Sequence, residues 1–189
     1  INPGKRLGMS EHWQFAIAQV KSEFLLIIGD DDGLPSRAIA RMKAIVMSHP
    51  NTDAIYWAHN IFNYPDIPAP SQSGMFHHYG GNIIQTRSVN LTLRLYLAGH
   101  IYFYNLPGVY HKLARTSLVR SVIADGIKGI APDVAIATAM SLKLNDYIYT
   151  RDPLSIPGIS SSSNGFSTTS RNGNKDQASI FLRETLISI

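Results

Sequence analysis

Phe24-Leu25-Leu26-Ile27-Ile28-Gly29-Asp30-Asp31-Asp32-Gly33-Leu34-Pro35-Ser36 is the stretch on which the reading of this 189-residue chain turns. Five apolar residues in a row are strand length, and a strand with no polar face suits a parallel sheet covered on both sides. That strand ends on three consecutive carboxylates. Two like charges about 4 Å apart repel by about 1 kcal/mol in water and about 4 kcal/mol at an effective dielectric of about 20. A fold that keeps them there needs a cation, a hydrogen-bond network or full solvation. Carboxylate oxygens are hard ligands matched to Mg2+ or Mn2+, and open α/β sheets bind ligands at the carboxyl ends of their strands. The plainer reading makes Asp30 or Asp31 a solvated cap for the helix opening at Pro35-Ser36.

Outward from the triplet the pattern alternates. Upstream, Trp13, Ala16, Ile17 and Val20 share one face of a helix that Ser10 could cap. Downstream, Ala38, Ile39, Met42, Ile45 and Val46 form the stripe of a second helix, stopped by His49-Pro50-Asn51, and Ala54 to Ala58 reads as a strand. Helix, strand, acidic turn, helix and strand predict an α/β layered sheet with helices on both faces. Residues 63–82, with Pro65, Pro68, Pro70 and three glycines, read as a surface excursion. Residues 86–98 and 116–124 read as helices, 101–104 and 109–111 as extended, Pro132 to Leu144 as a helix and Tyr147 to Tyr149 as a strand. Three parts result: a layered domain over 1–157, a flexible Gly/Ser/Asn-rich loop over 158–175 and a helix over 176–189.

Composition excludes several classes. Apolar residues are 44% and charged residues 16%, which argues against disorder. No apolar run nears the roughly 18 residues of a membrane span. A net charge of +4 from scattered Lys and Arg favours anionic substrates without making a nucleic-acid surface. Without cysteine there is no disulfide or thiolate metal site. No secretory leader is visible, so the expected location is cytoplasmic, with peripheral attachment to the inner face of a membrane left open. The oligomeric state is not readable. The start at Ile1 rather than Met is read as a truncated or processed terminus.

The segment from Gly8 to Asn60 resembles the central part of family 2 glycosyltransferases of the GT-A type. The resemblance rests on Ser22-Glu23-Phe24-Leu25-Leu26 as the strand, Asp30-Asp31-Asp32 as the D-x-D-like turn, and His49-Pro50-Asn51-Thr52-Asp53 before the next strand. It implies a GT-A-like (Rossmann-like) sheet, incomplete at the N-terminus because the strands that read the nucleotide base precede this part. It implies transfer of a sugar from a nucleotide-diphosphate donor to a hydroxyl of a carbohydrate or glycoconjugate acceptor. In such enzymes the last Asp of the turn holds Mn2+ or Mg2+, which here points to Asp32, while Asp30 and Asp31 contact the donor. Gly29 stands where many relatives have another Asp, so the register is open by one residue.

Inverting transfer also needs a base on the acceptor hydroxyl. The resemblance places it at a helix start about 100 residues after the turn, where Asp133 follows Pro132. Asp is also an ordinary helix-start residue, and both roles can coexist. Asp125, in the turn-like Ala124-Asp125-Gly126, is the alternative base. His77-His78 and His111 read as surface polarity rather than metal ligands. Trp13, Tyr56 and Trp57 read as core aromatics, and the Asn90-Leu91-Thr92 sequon as chance. The segment from Gly158 to Gly165 reads either as a closing loop or as a plain linker. A non-catalytic GT-A-like module that binds a carbohydrate or a protein is the competing function.

Overall fold

The computed structural model describes residues 2–67, 74–77, 80–81, 83–129, 131–163 and 175–186. In chain order the elements are α1 (Met9–Gln19), β1 (Phe24–Leu25), α2 (Ala38–Ser48), β2 (Ala54–Trp57), β3 (Ile61–Asn63), β4 (Phe76–His77) and β5 (Ile84–Ser88). They continue with α3 (Val89–Leu97), a 3-10 turn (Phe103–Asn105), β6 (Leu113–Arg115), α4 (Thr116–Val122), α5 (Pro132–Ser141), β7 (Asp146–Thr150), β8 (Gly158–Ile159) and α6 (Lys175–Leu186). A five-stranded sheet runs β1-β6-β2-β7-β5, and a smaller one runs β4-β3-β8.

The expected layering is present. Alternate residues of β2 point to opposite faces: Ala54 and Tyr56 join one core with Ile17, Val119, Ile136 and Met140, from α1, α4 and α5. Ile55 and Trp57 join a second core with Ala38, Met42 and Ile45 of α2. Strand β7 divides the same way, Tyr147 to the first core and Ile148 to the second. Period-2 alternation between two buried faces is why these strands carry no polar side.

The sheet is mixed rather than parallel. Only β2 and β7 run parallel within it, whereas β6 is antiparallel to both β1 and β2, and β5 to β7. The apolar run 24–28 pairs as a strand only at Phe24 and Leu25, at the sheet edge. Beyond it, Ile27 donates to Val109 at 2.8 Å and accepts from His111 at 3.0 Å. The run is apolar throughout because it serves both cores, Leu25 and Ile27 in one, Phe24 and Leu26 in the other.

Several boundaries differ from the sequence reading. Gly8, not Ser10, precedes α1, and its N–H donates to the Glu11 carboxylate at 3.1 Å. Ser10 is buried and donates to the Gly129 carbonyl. Helix α2 opens at Ala38, three residues after Pro35. Residues 84–88 form β5, and Ser88 caps α3 by accepting from the Leu91 N–H at 3.4 Å. Residues 103–105 are a 3-10 turn, not a strand. Parts of the 63–82 excursion, including His78, and most of the 158–175 segment lie outside the described residues.

Candidate active site

The acidic turn sits where the main sheet meets the small one. Gly33 exchanges two backbone hydrogen bonds with Ile156, at 2.9 and 2.8 Å, so the turn is stitched to the segment that leaves β7. Strand β8 then runs parallel to β3, and the Gly158 N–H donates to Asp32 Oδ1 at 2.8 Å. A side chain at 158 would not fit, since a Cβ there would lie 2.0 Å from the Asp31 carbonyl oxygen. The site therefore lies at the carboxyl ends of β2 and β7, as expected for an open α/β sheet.

The three carboxylates have different surroundings. Asp30 is exposed. Asp31 is half-exposed; its Oδ2 accepts from the Ser163 hydroxyl at 2.8 Å, and its carbonyl accepts from the Tyr64 hydroxyl at 3.2 Å. The Asp32 side chain is 1% exposed. Its Oδ2 accepts from the Gly29 N–H and from the Tyr110 hydroxyl at 3.1 Å. His111 Nε2 lies 2.9 Å from the same oxygen, off the line of a hydrogen bond. Burial works to raise the Asp32 pKa, but the His111 contact and the N–H donors of Gly158 and Gly29 outweigh it and hold the carboxyl below its ordinary value.

His111 is the main departure from the sequence reading. It is buried, not surface polarity, with 3% of its side chain exposed. Its backbone sits at φ 53°, in the left-handed region where non-glycine residues are uncommon. Its Nδ1 lies 2.9 Å from Ser155 Oγ, which accepts the Trp57 indole N–H at 2.8 Å. Asp, His and Ser are the residue types of a hydrolytic triad, yet Ser155 is fully buried beneath Trp57. No substrate carbonyl reaches that oxygen. Trp57 and Tyr56 are core aromatics as read, and Trp13 packs against the core with its ring 5.8 Å from that of Tyr110.

Asp133 is the second residue of α5, after Pro132 at the first helical position. Burial raises its pKa, opposed by the Val134 N–H and the charge of Lys112. Lys112 is itself buried, which lowers its pKa to about 7 against the pull of Asp133; its Nζ lies 5.4 Å from the Tyr56 ring centroid. Burial pushes the Tyr110 phenol up, and the charges of Asp32, Asp31 and Asp133 add to the effect. Tyr110 thus bonds to Asp32 and feels the charges of Asp31 and Asp133. Asp125 is exposed in the turn before Gly126.

Sequence reasoning passed over Tyr110, Lys112, Ser155 and Gly158. The one available signal was the apolar setting of Val109, Leu113 and Ala114, which marks 110–112 as buried chain despite its polar letters. For Ser155 and Gly158 there was no signal, because their partners are more than 40 and 120 residues away.

Among solved structures, the chain is similar to the S. aureus glycosyltransferase TarS. Against TarS 1–349 the TM-score is 0.53 at 18% identity, covering 95% of this chain and 50% of that one. A second TarS structure gives a TM-score of 0.53 at 18% identity, covering 95% and 30%. The fold is GT-A-like. The chain spans half the length of TarS 1–349. No family model matches the sequence, and no curated protein matches it. Among the described residues, no helix is long and apolar enough to cross a membrane.

Proposed function

We propose that the chain takes part in glycosyl transfer from a nucleotide-diphosphate sugar to an acceptor hydroxyl of a carbohydrate or glycoconjugate, with inversion and with a divalent cation. The observation that carries this reading is the acidic turn at the carboxyl ends of the strands of a GT-A-like sheet, with Asp32 bonded to Tyr110 and the charge of Asp133 within reach of the same phenol. In inversion the acceptor oxygen attacks the anomeric carbon opposite the leaving diphosphate, and a base takes its proton. Asp133 is the candidate base. Its raised pKa brings it nearer the range where a carboxylate accepts a proton effectively, and the N-terminus of α5 holds it in place.

Among the described residues no three His, Asp or Glu side chains form a metal cage. Mg2+ and Mn2+ do not require such a cage, being commonly held by one or two carboxylates together with substrate phosphates. Asp30 and Asp31 retain the exposure such an ion needs, whereas the Asp32 oxygens are engaged by protein groups. A cation on the diphosphate would neutralise charge on the departing oxygens. The engagement of Asp32 is also what favours the second reading, a non-catalytic GT-A-like module.

Calorimetry with UDP, GDP and their sugars, with and without Mn2+, separates the two. The transferase reading expects Mn2+-dependent nucleotide binding and sugar transfer. It also expects Asp133→Asn to lower turnover by roughly 100-fold or more while leaving donor affinity within about threefold. Loss of turnover and of donor binding together in a folded Asp133→Asn variant would count against a base.

A further inference from the structure

We infer that Asp32 is a positioning residue: its buried carboxylate is the clasp that closes the acidic turn, and it contributes no bond to a cation. The second half rests on the transferase reading, while the first does not. A carboxylate offers about four lone-pair positions. At Asp32 three donors take three of them, the Gly158 N–H on Oδ1 and the Gly29 N–H and Tyr110 hydroxyl on Oδ2, while His111 Nε2 stands 2.9 Å from Oδ2 off the line of a hydrogen bond. The remaining position, on Oδ1, belongs to a side chain only 1% exposed, so a hard cation that keeps its waters and phosphate ligands at roughly 2.1 Å reaches it only by opening the contacts around the carboxylate. A donor parted from Asp32 in that way loses its partner in a part-buried place, which is the expensive side of hydrogen-bond exchange.

The groups around Asp32 come from three separate stretches of chain. Gly29 follows β1, Tyr110 and His111 precede β6, and Gly158 opens β8. One side chain therefore ties the main sheet to the small one. Two further features show that the chain is shaped around this contact. Gly29 lacks a Cβ where one would stand 2.8 Å from Asp31 Oδ1 and 2.9 Å from Asp32 Oδ2. His111 is held at φ 53° with Nδ1 at Ser155 and Nε2 2.9 Å from Asp32; uncommon backbone states persist where surrounding contacts over-determine them. Asp30 and Asp31 remain the carboxylates open to a cation.

Amide hydrogen exchange reads the clasp directly. Asp32→Asn puts an amide NH2 among N–H donors, so exchange at Gly29 and Gly158 is expected to rise at least ~10-fold with distant strand amides unchanged. Asp31→Asn is expected to leave both amides protected. Wild-type protection at both sites in Asp32→Asn overturns the clasp. If that variant does not fold, Gly29→Ala provides the test: the new Cβ crowds both the Asp31 and the Asp32 carboxylates, and with Asp31→Asn in the same chain to relieve the first contact, Gly158 must lose protection by the same factor. Unchanged protection there overturns the proposal too.

The metal half is read from the Mn2+ concentration that half-saturates UDP binding. Opening the clasp loosens the turn and by itself costs metal affinity, as loss of an outer-shell partner does. The deciding result is therefore the comparison with Asp31→Asn, which is expected to raise the Mn2+ requirement at least ~10-fold more than Asp32→Asn does. An equal or larger shift in Asp32→Asn overturns the assignment. If wild type binds no UDP with Mn2+, the transferase reading fails, and the exchange measurement still decides the clasp.

Discussion

His59 has its ring 5.5 Å from that of His111 and 5.7 Å from that of Tyr56. Burial first, then the charges of His111 and Lys112, lower its pKa to about 3. The unfolded chain takes up that proton near pH 6.5, where the folded protein does not. Stability is therefore expected to fall as pH drops from about 6.5 toward 3, by at most about 1.4 kcal/mol per pH unit from this group. His59→Gln should flatten the slope in urea melts across that range; an unchanged slope rules His59 out as the source. Lys112 works in the alkaline range. Its proton leaves the folded protein near pH 7 but leaves the unfolded chain only near 10.5, so stability is expected to rise between those values. Lys112→Met removes the buried ammonium and should stabilise by roughly 1–3 kcal/mol at pH 7, seen as a higher denaturant midpoint at constant m. It should also abolish the alkaline rise.

Among the elements, α2 shows how a helix is pinned by one residue far away in sequence. Asp152, just past β7, receives Arg37 at 3.1 Å and Arg41 at 3.0 Å, with only 7% of its side chain exposed. Asp152→Ala leaves the arginines free to turn to water, since the Arg37 side chain is 72% exposed. The expected cost is thus about 1–2 kcal/mol, below the full penalty of a stranded buried charge; a loss above about 4 kcal/mol would contradict that account. Helices α1, α2, α4 and α5 were legible because apolar stripes are local and strong. Strand β5 was not: Ile84-Gln85-Thr86-Arg87-Ser88 lies at the sheet edge with one paired side, and its alternation is too weak to separate from the helix it runs into. The two-residue strands β4 and β8 exist only through their partners, and no local pattern announces them, whereas β1 is the paired start of the apolar run read as a strand. The acidic turn was legible as a site, while the unequal roles of its members were not, because Tyr110, His111 and Gly158 reach it across 78 to 126 residues.

At the scale of the molecule, the two sheets meet at the turn, and the closeness of that meeting depends on Gly158. Strand β8 is drawn toward β3 by the Phe62 N–H to the Pro157 carbonyl at 2.9 Å and the Tyr64 N–H to the Ile159 carbonyl at 2.8 Å. On its other side the backbone presses against the turn. A Cβ at 158 would stand 2.0 Å from the Asp31 carbonyl oxygen and 3.0 Å from the Tyr64 ring. The first contact is with backbone, which cannot swing aside as a flexible side chain can. Gly158→Ala must therefore separate the small sheet from the acidic turn or pull β8 off β3, and either movement weakens the Gly158 N–H contact to Asp32. The expected loss is about 2–3 kcal/mol, the ordinary range for forcing one methyl into a packed place. Gly33→Ala is the matched control on the same seam: its Cβ would lie 3.9 Å from Ile156 Cβ, an ordinary contact. It should change stability by no more than about 0.5 kcal/mol. Thermal melts of the two variants decide the matter: equal melting temperatures would mean that the sheets are not held together through Gly158, and a drop confined to Gly158→Ala places the joint there.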